Sequence, residues 1–132
     1  MMREIGGFFD KLYFSESVLG DAHIDGTQLR IHVSSLFLLA GHPLEPEGYG
    51  PYEGELVFEG VINSHRTITE YVGDARKPTG FKPSRQVVDK ITCENILQTD
   101  VLHDFGFEGY QELPSAWIDN WIVRAKAFVL RV

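Results

Sequence analysis

Alternation of apolar and polar residues runs through most of the chain and predicts β-strands from end to end. The pattern is clearest in VLGDAHIDGTQLRIHVSSLFLLA, residues 18 to 40, where two alternating runs flank Asp25-Gly26. Successive strand side chains point to opposite faces, and an Asp-Gly pair supplies the positive φ values that a tight hairpin turn requires. With Asp25-Gly26 at the centre, Asp21 is expected opposite Arg30, Leu19 opposite His32 and His23 opposite Gln28 on a polar face. Val18 is then expected opposite Val33, Ala22 opposite Leu29 and Ile24 opposite Thr27 on an apolar face.

Beyond Ser34-Ser35 the alternation gives way to Leu36-Phe37-Leu38-Leu39-Ala40, apolar on both sides. Such a change predicts a central strand that passes from a solvated to a covered part of the sheet, with a bulge near the serines. Before the hairpin, FFDKLYFSES predicts irregular chain leading into a strand at about residues 11 to 16, with Phe8, Phe9, Leu12, Tyr13 and Phe14 plugging one end of the core. After it, GHPLEPEGYGPYEG, residues 41 to 54, holds four glycines and three of the six prolines, so a long loop is expected there.

ELVFEGVI reads as a strand with Leu56, Phe58 and Ile62 on one side and Glu55 and Glu59 on the other. Asn63-Ser64-His65-Arg66 is expected to turn it back into TITEYVG, which ends at Gly73-Asp74. ARKPTGFKPSR is a loop with a cluster of basic residues, Arg76, Lys77, Lys82 and Arg85. QVVDKITCEN is a strand with Val87, Ile91 and Cys93 on one face, interrupted by Asp89; its β-branched residues argue against the rival helix over 84–98. ILQTDV is ambiguous. HDFGFEGYQEL alternates Phe105, Phe107 and Leu113 against Asp104, Glu108 and Glu112, and its glycines predict a curved or bulged strand that Leu113-Pro114-Ser115 ends. WIDNWIVRAKAFVLRV predicts one long closing strand, with Trp121, Val123, Ala125, Ala127 and Val129 on one face and Arg124 and Lys126 on the other.

Seven or eight strands, no sustained helical period and no repeat predict an all-β fold, an antiparallel β-sandwich or a partly open barrel with little helix. A chain of 132 residues is expected to form a single domain, 1–132. Nine Phe, five Tyr and two Trp supply a packed core. Nineteen acidic against twelve basic residues give a net charge of −7, a field that repels phosphate backbones and anionic membranes. Neither nucleic acid nor membrane is therefore expected as a partner. The one cysteine, Cys93, excludes an intramolecular disulfide, and the N-terminal stretch lacks an apolar segment of leader type. The expected location is cytoplasmic.

Candidate chemistry changes this picture little. The histidines at 23, 32, 42, 65 and 103 show neither His-x-His nor His-Glu-x-x-His spacing, so no metal site is expected. No Gly-x-Ser-x-Gly elbow or glycine-rich phosphate loop occurs, and neither a catalytic residue nor a cofactor is expected. Long loops in compact domains are disproportionately functional. The loop 41–54 carries His42, Glu45, Glu47, Tyr49, Tyr52 and Glu53, and carboxylates interleaved with tyrosines suit contact with another protein, a basic one in particular.

Residues 12 to 33, LYFSESVLGDAHIDGTQLRIHV, resemble the N-terminal hairpin of several small uncharacterised bacterial proteins that read F-x-[DE]-S-x-[IL] before two alternating strands. Phe14, Glu16, Ser17 and Leu19 carry the match, and Ser15 stands where a histidine is frequent. Some of those proteins sit beside polymorphic toxins, so the resemblance implies an immunity-like role and transfers no functional residue. The expected function is a non-catalytic, immunity-like or regulatory protein-binding module. Its alternatives are a small-ligand or metal-dependent enzyme with a His/carboxylate cleft, and a structural subunit that forms a homodimer or larger homo-oligomer through a sheet edge.

Overall fold

A computed structural model describes residues 3–73, 76, 80, 82–93, 101–112 and 115–132. Among these the chain forms ten strands: β1 (Glu4–Gly6), β2 (Leu12–Tyr13), β3 (Val18–Asp25), β4 (Gln28–Leu38), β5 (Tyr49–Glu59), β6 (Asn63–Val72), β7 (Lys82–Thr92), β8 (His103–Gln111), β9 (Ala116–Ala125) and β10 (Ala127–Arg131). One turn of 3₁₀ helix spans Phe9–Lys11. The strands form one sheet in the order β1-β10-β5-β4-β3-β8-β9-β6-β7, with β2 paired to β4. The sheet is all-β as expected. It is mixed rather than purely antiparallel, because β3 runs parallel to β8, and it does not close into a barrel.

Between β5 and β8 the sheet order places two strands, a separation of roughly 14 Å across a flat sheet. Yet Phe58 of β5 stacks on Phe107 of β8 with ring centroids 5.7 Å apart. The sheet is therefore curled over, and its two halves bury one core between them. Leu29, Ile31, Leu56, Phe58, Ile118 and Leu130 are fully buried there. Trp121 stacks on Phe107 at 4.9 Å, and its indole N–H donates to the Ser64 hydroxyl. Phe9 plugs the core, its ring within 5.5 Å of those of Phe14, Phe105 and Phe128.

The corner is made by two chain segments bending together. The β5–β10 ladder ends at Glu59 opposite Ala127, and the β6–β9 ladder resumes at Asn63 opposite Arg124. Lys126 N–H donates to Glu59 O and Ile62 N–H donates to Arg124 O, which carries the pairing around the bend. This corrects two expectations. The turn lies at residues 60–62, so Asn63-Ser64-His65-Arg66 begins a strand instead of forming the turn. The closing segment is two strands, β9 and β10, rather than one. Trp121, Val123 and Ala125 do face the core, but after Lys126 the inward set becomes Phe128 and Leu130, while Ala127 and Val129 turn outward.

Hairpin register is also corrected. Asp25 lies opposite Gln28, so Gly26-Thr27 is the central pair, with φ +60 at Gly26. Glycine at the first central position suits a type II′ turn. His23 then faces Arg30 and Ala22 faces Ile31, whereas Leu19 faces Val33 and Val18 faces Ser34. Gly20 and Asp21 together oppose His32, a bulge that turns Leu19 into the core. The bulge expected near the serines is present: Ser34 and Ser35 lie between the Val33–Gly54 and Leu36–Tyr52 pairs, and Ser35 has φ 53.

The strand β5 starts at Tyr49, so the irregular connection is shorter than the expected loop 41–54. Two of the glycines that suggested loop instead allow close packing. A β-carbon on Gly50 would lie 2.5 Å from the Phe37 ring, and one on Gly54 would fall 2.0 Å from the Arg131 carbonyl oxygen. The N-terminal strand expected over 11–16 is only Leu12–Tyr13. In β7, Asp89 interrupts an otherwise apolar face because it pairs with Arg66 at 3.1 Å. Residues 96–100 of the ambiguous segment, Lys77 of the basic cluster, Asp74 of the expected Gly73-Asp74 ending, and Leu113-Pro114 lie outside the described residues.

Candidate protein-interaction surface

The connection between β4 and β5 is tied to itself by short backbone bonds. His42 N–H donates to Leu39 O, Glu45 N–H to His42 O, Gly48 N–H to Glu45 O, and Gly41 N–H to Pro46 O at 2.7 Å. Gly41 and Gly48 adopt φ +99 and φ +87, values that a side chain would oppose. His42, one of the residues expected on the contact surface, is instead the peg of this connection: it is 1% exposed. Leu44 N–H donates to its Nδ1 at 3.1 Å, so the ring proton sits on Nε2, which is buried. Burial pushes the imidazole pKa below its ordinary value. The Phe8 ring packs at 6.0 Å from it.

The remaining expected residues lie nearer the surface. Tyr52 is half-buried and donates its hydroxyl to Glu45 Oε1 at 2.5 Å. That bond, followed by desolvation and the Glu45 charge, raises the phenol pKa. Tyr49 stands edge-on to Tyr52 with centroids 6.3 Å apart and is 62% exposed, which makes it the most exposed aromatic side chain among the described residues. Glu47 is exposed, with no side-chain hydrogen bond or ion pair among the described residues. Glu53 reaches His32 at 3.2 Å. The structure thus brings Glu45, Tyr49 and Tyr52 together, sends Glu53 toward the β3–β4 face, and puts His42 inside.

Three further exposed apolar residues, absent from the loop reading, lie on or next to segments bonded to this connection. Leu39 N–H donates to Lys11 O at 2.8 Å, and Leu12, Leu38 and Tyr49 are aligned across β2, β4 and β5. The N-terminal segment is therefore bonded to the start of the β4–β5 connection, while Tyr13, paired with Phe37, falls on the face opposite that of Leu12, Leu38 and Tyr49. Phe8, Tyr13, Leu39 and Tyr49 lie on these two segments, and they are four of the eight exposed large hydrophobic side chains among the described residues. The signal for Phe8 and Tyr13 was the aromatic density of FFDKLYF, which also serves the core through Phe9 and Phe14. Asp10 and Glu47 are exposed on the same segments and add negative charge.

The other candidate groups are dispersed. His23 and His32 lie across from Arg30 and Glu55, and among the described residues no three His, Cys, Asp or Glu side chains are placed to hold a metal ion. In the basic cluster, Arg85 pairs with Glu70 at 3.1 Å. Cys93 is half-buried, with its thiol pKa raised by desolvation. No helix among the described residues is long and apolar enough to cross a membrane. Comparison with protein-family models, curated proteins and solved structures finds no match for the chain. The class defined by fold and surface is an all-β protein with a curled mixed sheet and an aromatic, acid-flanked patch.

Proposed function

We propose that this chain is a non-catalytic protein-binding module, immunity-like or regulatory and cytoplasmic, whose partner is a basic protein. The observation that carries the reading is Tyr49, 62% exposed yet held edge-on by Tyr52, with exposed Leu39 at the other end of the β4–β5 connection. An aromatic side chain held in place before binding loses little conformational freedom on docking, which is how anchor residues concentrate affinity. The neighbouring carboxylates would steer a positively charged partner and set a salt-dependent association rate. The Glu45–Tyr52 bond and the His42 peg are the supports of this anchor, not its contacts.

Affinity capture with the immobilised chain tests the reading, comparing wild type with Tyr49→Ala and with the double variant Leu39→Ser, Tyr49→Ala. A basic protein retained by wild type should be lost from the double variant and reduced for Tyr49→Ala, and its retention should weaken with added salt. Tyr52→Phe, which removes only the hydroxyl, should retain the partner at reduced affinity. Equal retention by wild type and the double variant would refute this surface as the contact.

A further inference from the structure

β7 ends the sheet: among the described residues its one neighbouring strand is β6, and no strand lies on its other side. The opposite edge, β1, is three residues long, whereas β7 runs from Lys82 to Thr92. A long bare edge is a template for another strand, and chains guard such edges with proline, bulges or lysine. Here most of the guards stand at the start of the strand. Lys82 and Pro83 precede a bulge in which the ladder steps from Arg85 opposite Glu70 to Pro83 opposite Tyr71. From Arg85 to Thr92 the ladder with β6 is unbroken, and Val88 is 60% exposed there.

Symmetry and charge decide what fits this edge. Two copies that continue one antiparallel sheet across a two-fold axis place one residue opposite itself. Residues equally far from it on either side then lie opposite each other. Of the six residues from Arg85 to Lys90, centring on Arg85, Asp89 or Lys90 sets that charge against its own copy. Centring on Gln86 sets Lys82 against Lys90, and centring on Val88 brings no opposite charges together. Centring on Val87 sets Arg85 of each copy against Asp89 of the other, with the two Val87 side chains between them. That register also overlaps the strands fully, since Lys82 and Thr92 are equally far from Val87.

Both charges are already held in place. Arg85 Nε donates to Glu70 at 3.1 Å, and Asp89 Oδ2 accepts from Arg66 at 3.1 Å. The Arg85 side chain is 69% exposed and that of Asp89 34%, so each can be reached from outside. A guanidinium has donors beyond Nε and a carboxylate has a second oxygen. Pairing across the edge therefore extends the two bonds into one run of alternating charge: Arg66, Asp89, then Arg85 and Glu70 of the second copy.

We propose that β7 is the contact of a two-fold dimer of this chain, pairing antiparallel with the β7 of a second copy in the register centred on Val87. The occupant is a second copy because the charges of β7 complement their own reversal. This surface goes beyond the partner-contact reading and does not depend on it.

Light scattering after size exclusion should show the mass moving from monomer to dimer over roughly 10 µM to 1 mM, the weak range of a contact below standard interface size. Arg85→Glu, at an exposed position, sets carboxylates against each other and should weaken the dimer roughly tenfold or more with unchanged circular dichroism. Tyr49→Ala should leave the dimer intact. In a Cys93→Ser background, Val87→Cys should form a disulfide with its own copy under mild oxidation, because α-carbons opposite each other lie roughly 4.5–5.5 Å apart. Val88→Cys, although more exposed, should link to itself far less, since its copy is displaced along the strand. Mixing Gln86→Cys with Val88→Cys should give the mixed disulfide in preference to either self-linked form, and serves as the second test if Val87→Cys does not fold. A monomer at every concentration, a dimer that survives Arg85→Glu or is lost in Tyr49→Ala, or stronger self-linking at Val88 than at Val87 would overturn the proposal.

Discussion

Gly60 and Lys126 bend against each other at the corner of the sheet: a β-carbon on Gly60 would lie 2.7 Å from the β-carbon of Lys126. Gly60 also has φ +64, so a side chain there meets both a backbone penalty and a contact that the flexible end of the lysine cannot relieve. Gly60→Ala should therefore destabilise the protein by about 2 kcal/mol or more, of which roughly 1–2 kcal/mol is the left-handed backbone alone. Urea unfolding should show a lower midpoint with an unchanged slope, since the surface exposed on unfolding is the same. Lys126→Gly opens the contact and should restore part of the loss in the double variant.

Stability should fall in mild acid because of His42. Its imidazole is held neutral by burial, so its pKa in the folded chain lies below the unfolded value near 6.5. The unfolded chain then binds more protons as pH drops below that value, and stability declines until the folded pKa is passed. The proton must enter at Nδ1, which is occupied by the Leu44 N–H, so protonation also breaks a bond that shapes the β4–β5 connection. Urea midpoints measured between pH 7.5 and pH 5 should fall for wild type and fall less for His42→Gln. A slope equal in the two proteins would remove His42 as the cause.

Arg66 links the edge of the sheet to the core. Its guanidinium lies 4.3 Å from the Trp121 ring and 3.1 Å from the Asp89 carboxylate, and only 17% of its side chain is exposed. Planar stacking and a directed hydrogen bond suit arginine and not lysine. Arg66→Lys should cost roughly 1 kcal/mol in thermal or urea unfolding. Asp89→Asn, which keeps a carbonyl acceptor, should cost less than Asp89→Ala. An Arg66→Lys protein as stable as wild type would show that the stacking contributes nothing.

Much of the fold was legible because strand alternation is a local property. The hairpin, the serine bulge of β4, the bulge of β8 between Phe107 and Gly109, and the plugging of the core by Phe9, Leu12 and Phe14 could all be read from neighbouring residues, whereas Phe8 and Tyr13, expected in the same plug, stay exposed. Register was not. Asp25-Gly26 is a good turn pair, yet the chain uses Gly26-Thr27, because the bulge at Gly20-Asp21 and the pairing of β4 with β5 place Leu19 and Leu29 in the core together. The end of β9 misled for a related reason. Its apolar alternation continues through Lys126, but the bend there resets which side faces inward.

For the contact surface, the sequence by itself determined that residues 41–54 hold acid and tyrosine side by side, and that the chain as a whole is acidic and β-forming. Only the tertiary structure decided which of those residues can be touched. His42 is drawn inside because its ring fills the turn and its Nδ1 satisfies a backbone donor, while Tyr49 is left standing against Tyr52. Tertiary structure also tied the N-terminal segment to this connection, since the two-residue strand β2 pairs with the far end of β4 and the Phe8 ring packs 6.0 Å from that of His42. A local pattern specifies which faces a strand has; the company each face keeps depends on pairing between residues distant in the chain.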